Sequence, residues 1–217
     1  MAEMMKGNEA IAEAAIRAGA RFYAGYPITP SSEIMEYLSW RMNEVGGAFV
    51  QAESELAGIN MVIGASSCGV RALTASSGPG ISLKQEGIST LCDEGLPAVV
   101  ITQVRYGNGL GTLFTSQCDY HRETRGGGQG DYRCIVLCPS SIQEFVDLML
   151  PAYELAEKYR IVTIMMGEGT LGQMMEPVEF KPAKTQEELD ALANQHLSWC
   201  ICPNADGDAK HHHEINS

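Results

Sequence analysis

Arg71-Ala72-Leu73-Thr74-Ala75, the turn Gly78-Pro79-Gly80, a helix opened by Ser82, then Pro97 and the run Ala98-Val99-Val100-Ile101-Thr102-Gln103-Val104: this stretch decides the fold. Ala98 to Val104 is too rich in β-branched residues for a helix and reads as a strand. Two such strands joined by a helical pattern form a βαβ unit, whose crossover makes the strands parallel. Working outward, Asn8 is a candidate cap for a helix carrying Ile11, Ala14, Ala15 and Ala18 on one face, with Gly19 as its stop. Arg21 to Tyr26 reads as a strand ended by Pro27. Ser31 or Ser32 starts a helix turning Ile34, Met35, Leu38 and Met42 inward. Ala48 to Val50 reads as a short buried strand, and Ser54 caps a helix through Leu56, Ile59 and Ile63. Strand Cys134 to Leu137, helix Ser141 to Lys158 and strand Ile161 to Met166 continue the alternation. Gly107 to Gly130 has no periodicity and reads as a long functional loop.

The expected fold class is therefore α/β: a doubly wound parallel sheet of about six strands with helices on both faces. Such sheets bind ligands beyond the carboxyl ends of their strands. Those ends are Tyr26-Pro27-Ile28-Thr29, Gln51 to Glu55, Ser76-Ser77-Gly78, and Arg105 onward. The expected domain runs over 1–176. Residues 177–217, with Pro177 and Pro182, one short helix over Thr185 to His196 and a polar end, read as a linker or truncated tail leading to a missing second domain.

Composition narrows the function classes. A chain of 217 residues buries roughly 70% of its unfolded surface and needs no staple. Its net charge of −12 repels nucleic acid and anionic membranes. The start lacks a signal-peptide pattern, and no apolar run approaches about 18 residues, so the expected location is the cytoplasm. Seven cysteines with no C-x-x-C pair fit neither a disulfide framework nor a metal or cluster string, and buried reduced thiols are expected. No metal site is expected.

The candidate chemistry lies at the strand ends. Glu55 opens a helix of small and apolar residues, where helix dipole and burial push its proton affinity in opposite directions. A first-turn Glu is also a plain capping acid, a role Glu53 fits equally well. The two prolines of Tyr26 to Ser32 stiffen a loop carrying the hydroxyls of Thr29 and Ser31; alternatively they end a strand and start a helix. Ser77-Gly78-Pro79-Gly80-Ile81-Ser82 offers bare backbone at a strand-to-helix turn but lacks the Lys of a nucleotide P-loop. Gly107, Gly109 and Gly111 are not a dinucleotide fingerprint, since position 112 is Thr. Arg105 is placed either to clamp a carboxylate or to stand in solvent. His211-His212-His213 is assigned no role, and no G-x-S-x-G elbow is present.

Several motifs in fixed order carry a resemblance. Gly25-Tyr26-Pro27-Ile28-Thr29-Pro30-Ser31-Ser32, Glu53-Ser54-Glu55-Leu56-Ala57-Gly58 and Thr74 to Leu83 resemble the alpha subunit of 2-oxoacid:ferredoxin oxidoreductases. Gly126 to Tyr132 and Leu171 to Pro177 are most similar to the branched-chain, 2-oxoisovalerate type. The resemblance implies the thiamine diphosphate-binding fold, with this chain as its pyrimidine-type domain. It implies a beta subunit holding the diphosphate and Mg2+, gamma and delta-type subunits, iron–sulfur clusters in other chains, coenzyme A as substrate and ferredoxin as electron acceptor. No G-D-G…N stretch for a diphosphate-bound metal is found in this chain.

By the same resemblance, Glu55 matches the glutamate that hydrogen-bonds the aminopyrimidine ring and manages its proton. Ser77 and Gly78 fall in the cofactor-binding turn, Thr29 matches a substrate-contacting hydroxyl, and Arg105 aligns with a candidate carboxylate clamp. Many relatives carry R-G-G-P-S-T-G where this chain has Arg105-Tyr106-Gly107-Asn108-Gly109-Leu110-Gly111, which leaves the preferred 2-oxoacid open. Kept beside this reading are a 2-oxoglutarate- or pyruvate-specific member of the family and a non-catalytic structural subunit. Relatives usually continue into a further domain, so the chain is expected to be truncated or unusually short.

Overall fold

Apolar runs become strands because a parallel sheet covered on both faces rewards them at every residue. The structure is a computed structural model and describes residues 2–107, 113–185, 187–188, 191 and 200. Its main sheet holds β2 (Phe22–Gly25), β3 (Ala48–Gln51), β4 (Ala72–Ser76), β5 (Ala98–Val104), β6 (Ile135–Leu137) and β7 (Val162–Glu168). Their spatial order is β3-β2-β4-β5-β7-β6, and every neighbouring pair is parallel. The six-stranded parallel sheet is as expected, and β5 has the expected ends.

Alternate residues feed two cores. Leu73, Ala75, Val99 and Ile101 face α1 (Gly7–Arg17), α2 (Ser32–Glu44) and α6 (Ile142–Tyr159). Ala72, Ala98, Val100 and Ile164 face α3 (Glu55–Ser67) and α4 (Gly78–Asp93). The sheet is thus doubly wound. The crossover from β2 runs one way to β3 while that from β4 runs the other way to β5. The strand order therefore reverses between β2 and β4, which opens a ligand crevice at their carboxyl ends.

Several local expectations change. Asn8 is no cap: α1 begins at Gly7 after Lys6, and Asn8 is buried inside it. Its amide donates to Pro30 O at 2.7 Å and Glu33 Oε2 at 2.8 Å, bonds that outweigh a cap's single one. β3 is a half-exposed edge strand rather than a buried one, because it has only one neighbour. α4 starts at Gly78 rather than Ser82, since Pro79 fits a first helical turn. On α3, Leu56 points to solvent while Glu55, Gly58, Ile59 and Val62 form the buried face.

The Gly-rich loop contains α5 (Tyr120–Arg125), with Arg122 paired to Asp119 and Glu123, and residues 108–112 within it lie outside the described residues. Beyond Met166 the chain makes α7 (Gly169–Gln173) and β8 (Met175–Val178), which pairs antiparallel with β1 (Glu3–Lys6). The short helix expected over 185–196 falls largely, and the His211–His213 tract entirely, outside the described residues.

Buried thiols are not what the structure holds. Cys68, Cys118 and Cys138 are exposed, while Cys92 and Cys134 are half-buried with their sulfurs 3.7 Å apart. Cys202 lies outside the described residues. Among the described residues no helix is long and apolar enough to cross a membrane. Nor do any three His, Cys, Asp or Glu side chains there gather to hold a metal.

Candidate functional site

Ser54 starts the site. Its hydroxyl accepts from Ala57 N at 3.1 Å, and this cap sets the first turn of α3 at the carboxyl end of β3. Glu55 follows, and the cap turns its side chain inward, leaving Glu53 exposed. Ser76, the last residue of β4, donates to Glu55 Oε1 at 2.5 Å. Lys84, nearly two turns into α4, forms an ion pair with Glu55 Oε2 and donates to Glu55 O at 3.3 Å. Both charged side chains are buried, Glu55 at 3% exposure and Lys84 at 0%. Glu55 is therefore more than a solvated helix cap.

Glycines admit this arrangement. A Cβ on Gly80 would collide with Ser76 Oγ and Glu55 Oε1. A Cβ on Gly58 would stand 3.3 Å from Gly25 Cα and 3.4 Å from Lys84 Nζ, so the ammonium rests over bare backbone. Burial pushes the Lys84 ammonium below its ordinary value, and the Glu55 carboxylate partly offsets that. The buried Tyr23 phenol beneath is pushed up by burial and further by the Glu55 charge.

The remaining candidates border the same crevice. Ser77 is the N-cap position of α4; its hydroxyl is fully buried and makes no hydrogen bond among the described residues. Gly78 has φ +46°, and a Cβ there would stand 3.1 Å from Arg105 Nε. Arg105 is buried rather than solvated, and its Nη1 donates to Thr29 O at 2.7 Å. Thr29 itself is exposed and precedes the cis peptide to Pro30. Thr29, Arg105 and Gly78 are thus brought together, next to the turn that carries Ser76, Ser77 and Gly80. A cavity of about 400 Å³ lies elsewhere, between α1, α6 and residues 180–185, and holds none of these residues.

The thiamine diphosphate-binding family described as pyruvate flavodoxin/ferredoxin oxidoreductase matches residues 13–198. The chain belongs to this family. It is 50% identical over 202 residues to the ketoisovalerate oxidoreductase subunit VorB of Methanothermobacter thermautotrophicus, covering 93% of this chain and 56% of that protein. It is 46% identical over 177 residues to the 2-oxoglutarate synthase subunit KorA of Methanocaldococcus jannaschii, covering 81% of this chain and 48% of that one. Among solved structures, the 2-oxoglutarate:ferredoxin oxidoreductase from Magnetococcus marinus, with 2-oxoglutarate, coenzyme A and succinyl-CoA bound, superposes with a TM-score of 0.78. The two are 32% identical, and the match covers 84% of this chain and 33% of that one. The chain spans about half the length of the curated relatives it matches.

As a member of this family, the chain can be tested for fit to a thiamine pyrimidine. A buried carboxylate whose Oε1 is held by Ser76 and whose Oε2 meets the Lys84 ammonium, a buried Ser77 hydroxyl without a hydrogen-bond partner among the described residues, and a turn kept free of side chains at Gly78 and Gly80 suit a flat, nitrogen-rich ring. The residues fit. Two motifs of the resemblance turn out to brace the crevice. Gly127 N donates to Gln85 Oε1 at 3.0 Å and the Tyr132 hydroxyl accepts from Gly128 N at 2.9 Å, strapping Gly126 to Tyr132 along α4. Gln173 Nε2 donates to Pro30 O at 3.2 Å and Glu33 Oε2 at 3.0 Å, holding the Thr29 loop from below.

Sequence reasoning placed Ser76 at a ligand-binding strand end without giving it a role, and missed Lys84 and Arg122. Arg122 Nη1 donates to Gly78 O at 3.0 Å and to Ser82 Oγ at 3.1 Å, across the first turn of α4. Lys84 had a readable signal: with α4 starting at Gly78, it shares a stripe with Ile81, Gln85, Ile88 and Leu91. A lysine on a buried stripe needs an acid, and Glu55 is that acid.

Proposed function

We propose that this chain is the pyrimidine-binding, alpha-type subunit of a 2-oxoacid:ferredoxin oxidoreductase that converts a 2-oxoacid, 2-oxoisovalerate foremost, to its acyl-CoA. Ferredoxin takes the electrons, and carbon dioxide leaves. The observation that carries the reading is the buried Glu55 carboxylate, held by Ser76 at the point where the strand order reverses. The choice of 2-oxoisovalerate is supported by 50% identity to VorB against 46% to KorA.

Thiamine diphosphate, when bound, supplies the electron sink for decarboxylation. Glu55 would hold the pyrimidine through its ring nitrogen and keep a proton at that contact. Ser76 fixes the carboxylate rotamer through Oε1 and Lys84 through Oε2, and each oxygen keeps a further lone pair for a ring N–H. Ser77 and Gly78 line the ring's edge with a hydroxyl and bare backbone. Thr29 contacts the substrate, and Arg105, with a guanidinium set against the Thr29 carbonyl, draws the substrate carboxylate towards the crevice of an otherwise acidic chain.

The exposed apolar residues Tyr26, Leu56, Leu83, Tyr106 and Phe114 belong to the segments around the crevice. They suit coverage by a beta subunit bringing diphosphate and Mg2+. Gamma and delta-type subunits and iron–sulfur clusters in other chains complete the reading, in the cytoplasm.

Glu55→Gln in the assembled complex should lower 2-oxoacid-dependent ferredoxin reduction by about 10²-fold or more while the complex still co-purifies. Near-normal turnover in that variant would overturn the assignment of Glu55.

A further inference from the structure

A lysine buried at 0% exposure beside a carboxylate is rarely a stability device, because desolvating both charges offsets most of their attraction. Lys84 has that position, and its nitrogen reaches both the Glu55 side chain and the Glu55 carbonyl. It therefore grips the residue at two points, across the contact between α4 and α3. Gly58 and Gly80 lack the side chains that would exclude it or the carboxylate it meets. Packing alone would be served by a methionine of similar length. We infer that Lys84 is a positioning residue for the reaction, its ammonium holding the Glu55 carboxylate in place and aimed into the crevice. This rests on the reading of Glu55 proposed above.

The groups facing the pair come from three strands and helices. Lys84 reaches Glu55 from α4 and the Ser76 hydroxyl from β4, while the Tyr23 phenol of β2 feels the Glu55 charge. Glu53, the neighbouring acid before α3, is exposed. Of these, the ammonium is the group that changes charge on the alkaline side below the ordinary lysine range, since burial lowers it and Glu55 only partly compensates. Tyr23 is pushed the other way and keeps its proton there.

The test uses the assembled complex with 2-oxoisovalerate, coenzyme A and ferredoxin. Wild type should lose kcat on the alkaline side before the ordinary lysine range. Lys84→Met should lower kcat at neutral pH by ~10²-fold, leave KM for the 2-oxoacid unchanged, and abolish that alkaline limb. A second readout is independent of turnover. In thermal unfolding, Glu55→Gln/Lys84→Met should melt above Glu55→Gln alone, because the single variant leaves the ammonium buried without its carboxylate.

A wild-type kcat flat up to the ordinary lysine range overturns the inference, and this holds even if Lys84→Met does not fold. So does a Lys84→Met variant with wild-type kcat, or one with uniform loss and the limb intact, which marks a structural role only. Failure of the underlying reading looks different: Glu55→Gln then turns over normally. An inactive Glu55→Gln beside an unaltered Lys84→Met removes Lys84 alone.

Discussion

Gly80 has no side chain, and the first turn of α4 closes on Glu55 only for that reason. An added Cβ would meet Ser76 Oγ and Glu55 Oε1, the two atoms of the hydrogen bond that fixes the carboxylate. Neither neighbour can retreat easily. Ser76 ends a fully buried strand, and Glu55 is already held on its far side by Lys84. Gly80→Ala should therefore destabilise the chain by about 1–3 kcal/mol, the usual range for overpacking, and lower turnover in the complex as the carboxylate shifts. Thermal unfolding and ferredoxin reduction measure the two effects separately. Gly87 is a useful comparison, because the three atoms nearest a Cβ there all belong to Ile59. Gly87→Ala should cost stability without a matching loss of kcat.

Among the elements, α2 is tied to three others through one side chain. Glu33 in its first turn accepts from Lys6 of β1 at 2.7 Å, Asn8 of α1 at 2.8 Å and Gln173 of α7 at 3.0 Å. Burial alone would raise this carboxyl, but hydrogen bonds from Lys6, its own backbone N–H, Gln173 and Asn8 together hold it below its ordinary value. A depressed carboxyl stabilises the fold above its unfolded value, and that contribution is lost as pH falls through the folded one. Wild type should thus lose an acid-sensitive component as pH falls through and below the ordinary carboxylate range that Glu33→Gln lacks, worth roughly 1 kcal/mol or less at this part-exposed site. Melting temperatures of both proteins across that range check it.

The elements also differ in how legible they were. β5 could be read residue by residue because all seven of its residues are buried and most are β-branched or apolar. β1 and β8 could not, since a four-residue ribbon containing Glu3, Lys6 and Pro177 has neither alternation nor an apolar run. α5 escaped for a related reason, being braced by the charges of Asp119, Arg122 and Glu123 rather than by an apolar stripe. Glu55, Ser77, Gly78, Thr29 and Arg105 could be singled out because strand ends are where such sheets bind, and the structure places them around one crevice. Lys84 was lost because a charge inside a helix ordinarily means solvent.

For the whole molecule, the sheet supplies one wall of a crevice. On the proposed function, Glu55, Ser77 and Gly78 receive the flat end of the cofactor, while among the described residues no three acids, histidines or cysteines gather to hold a metal. The residues around the crevice add an apolar rim, with Phe114 at 77% exposure and Leu83 at 57%. A hydrogen bond or two to a pyrimidine, with the ring's other face in water, supports only weak binding, because most of the ring's apolar area stays hydrated. A chain docked over Tyr26, Leu56, Leu83, Tyr106 and Phe114 would bury that area and bring the anionic end of the cofactor to its own metal. Cofactor affinity and subunit affinity are then linked, each raising the other by the same factor. The expected calorimetric result is no measurable heat when thiamine diphosphate and Mg2+ are added to this chain alone, and tight binding once a diphosphate-binding partner chain is present. The reciprocal titration should show the partner binding more tightly in the presence of the cofactor. Tight cofactor binding by this chain alone would contradict the shared crevice, and equal partner affinity with and without cofactor would break the linkage.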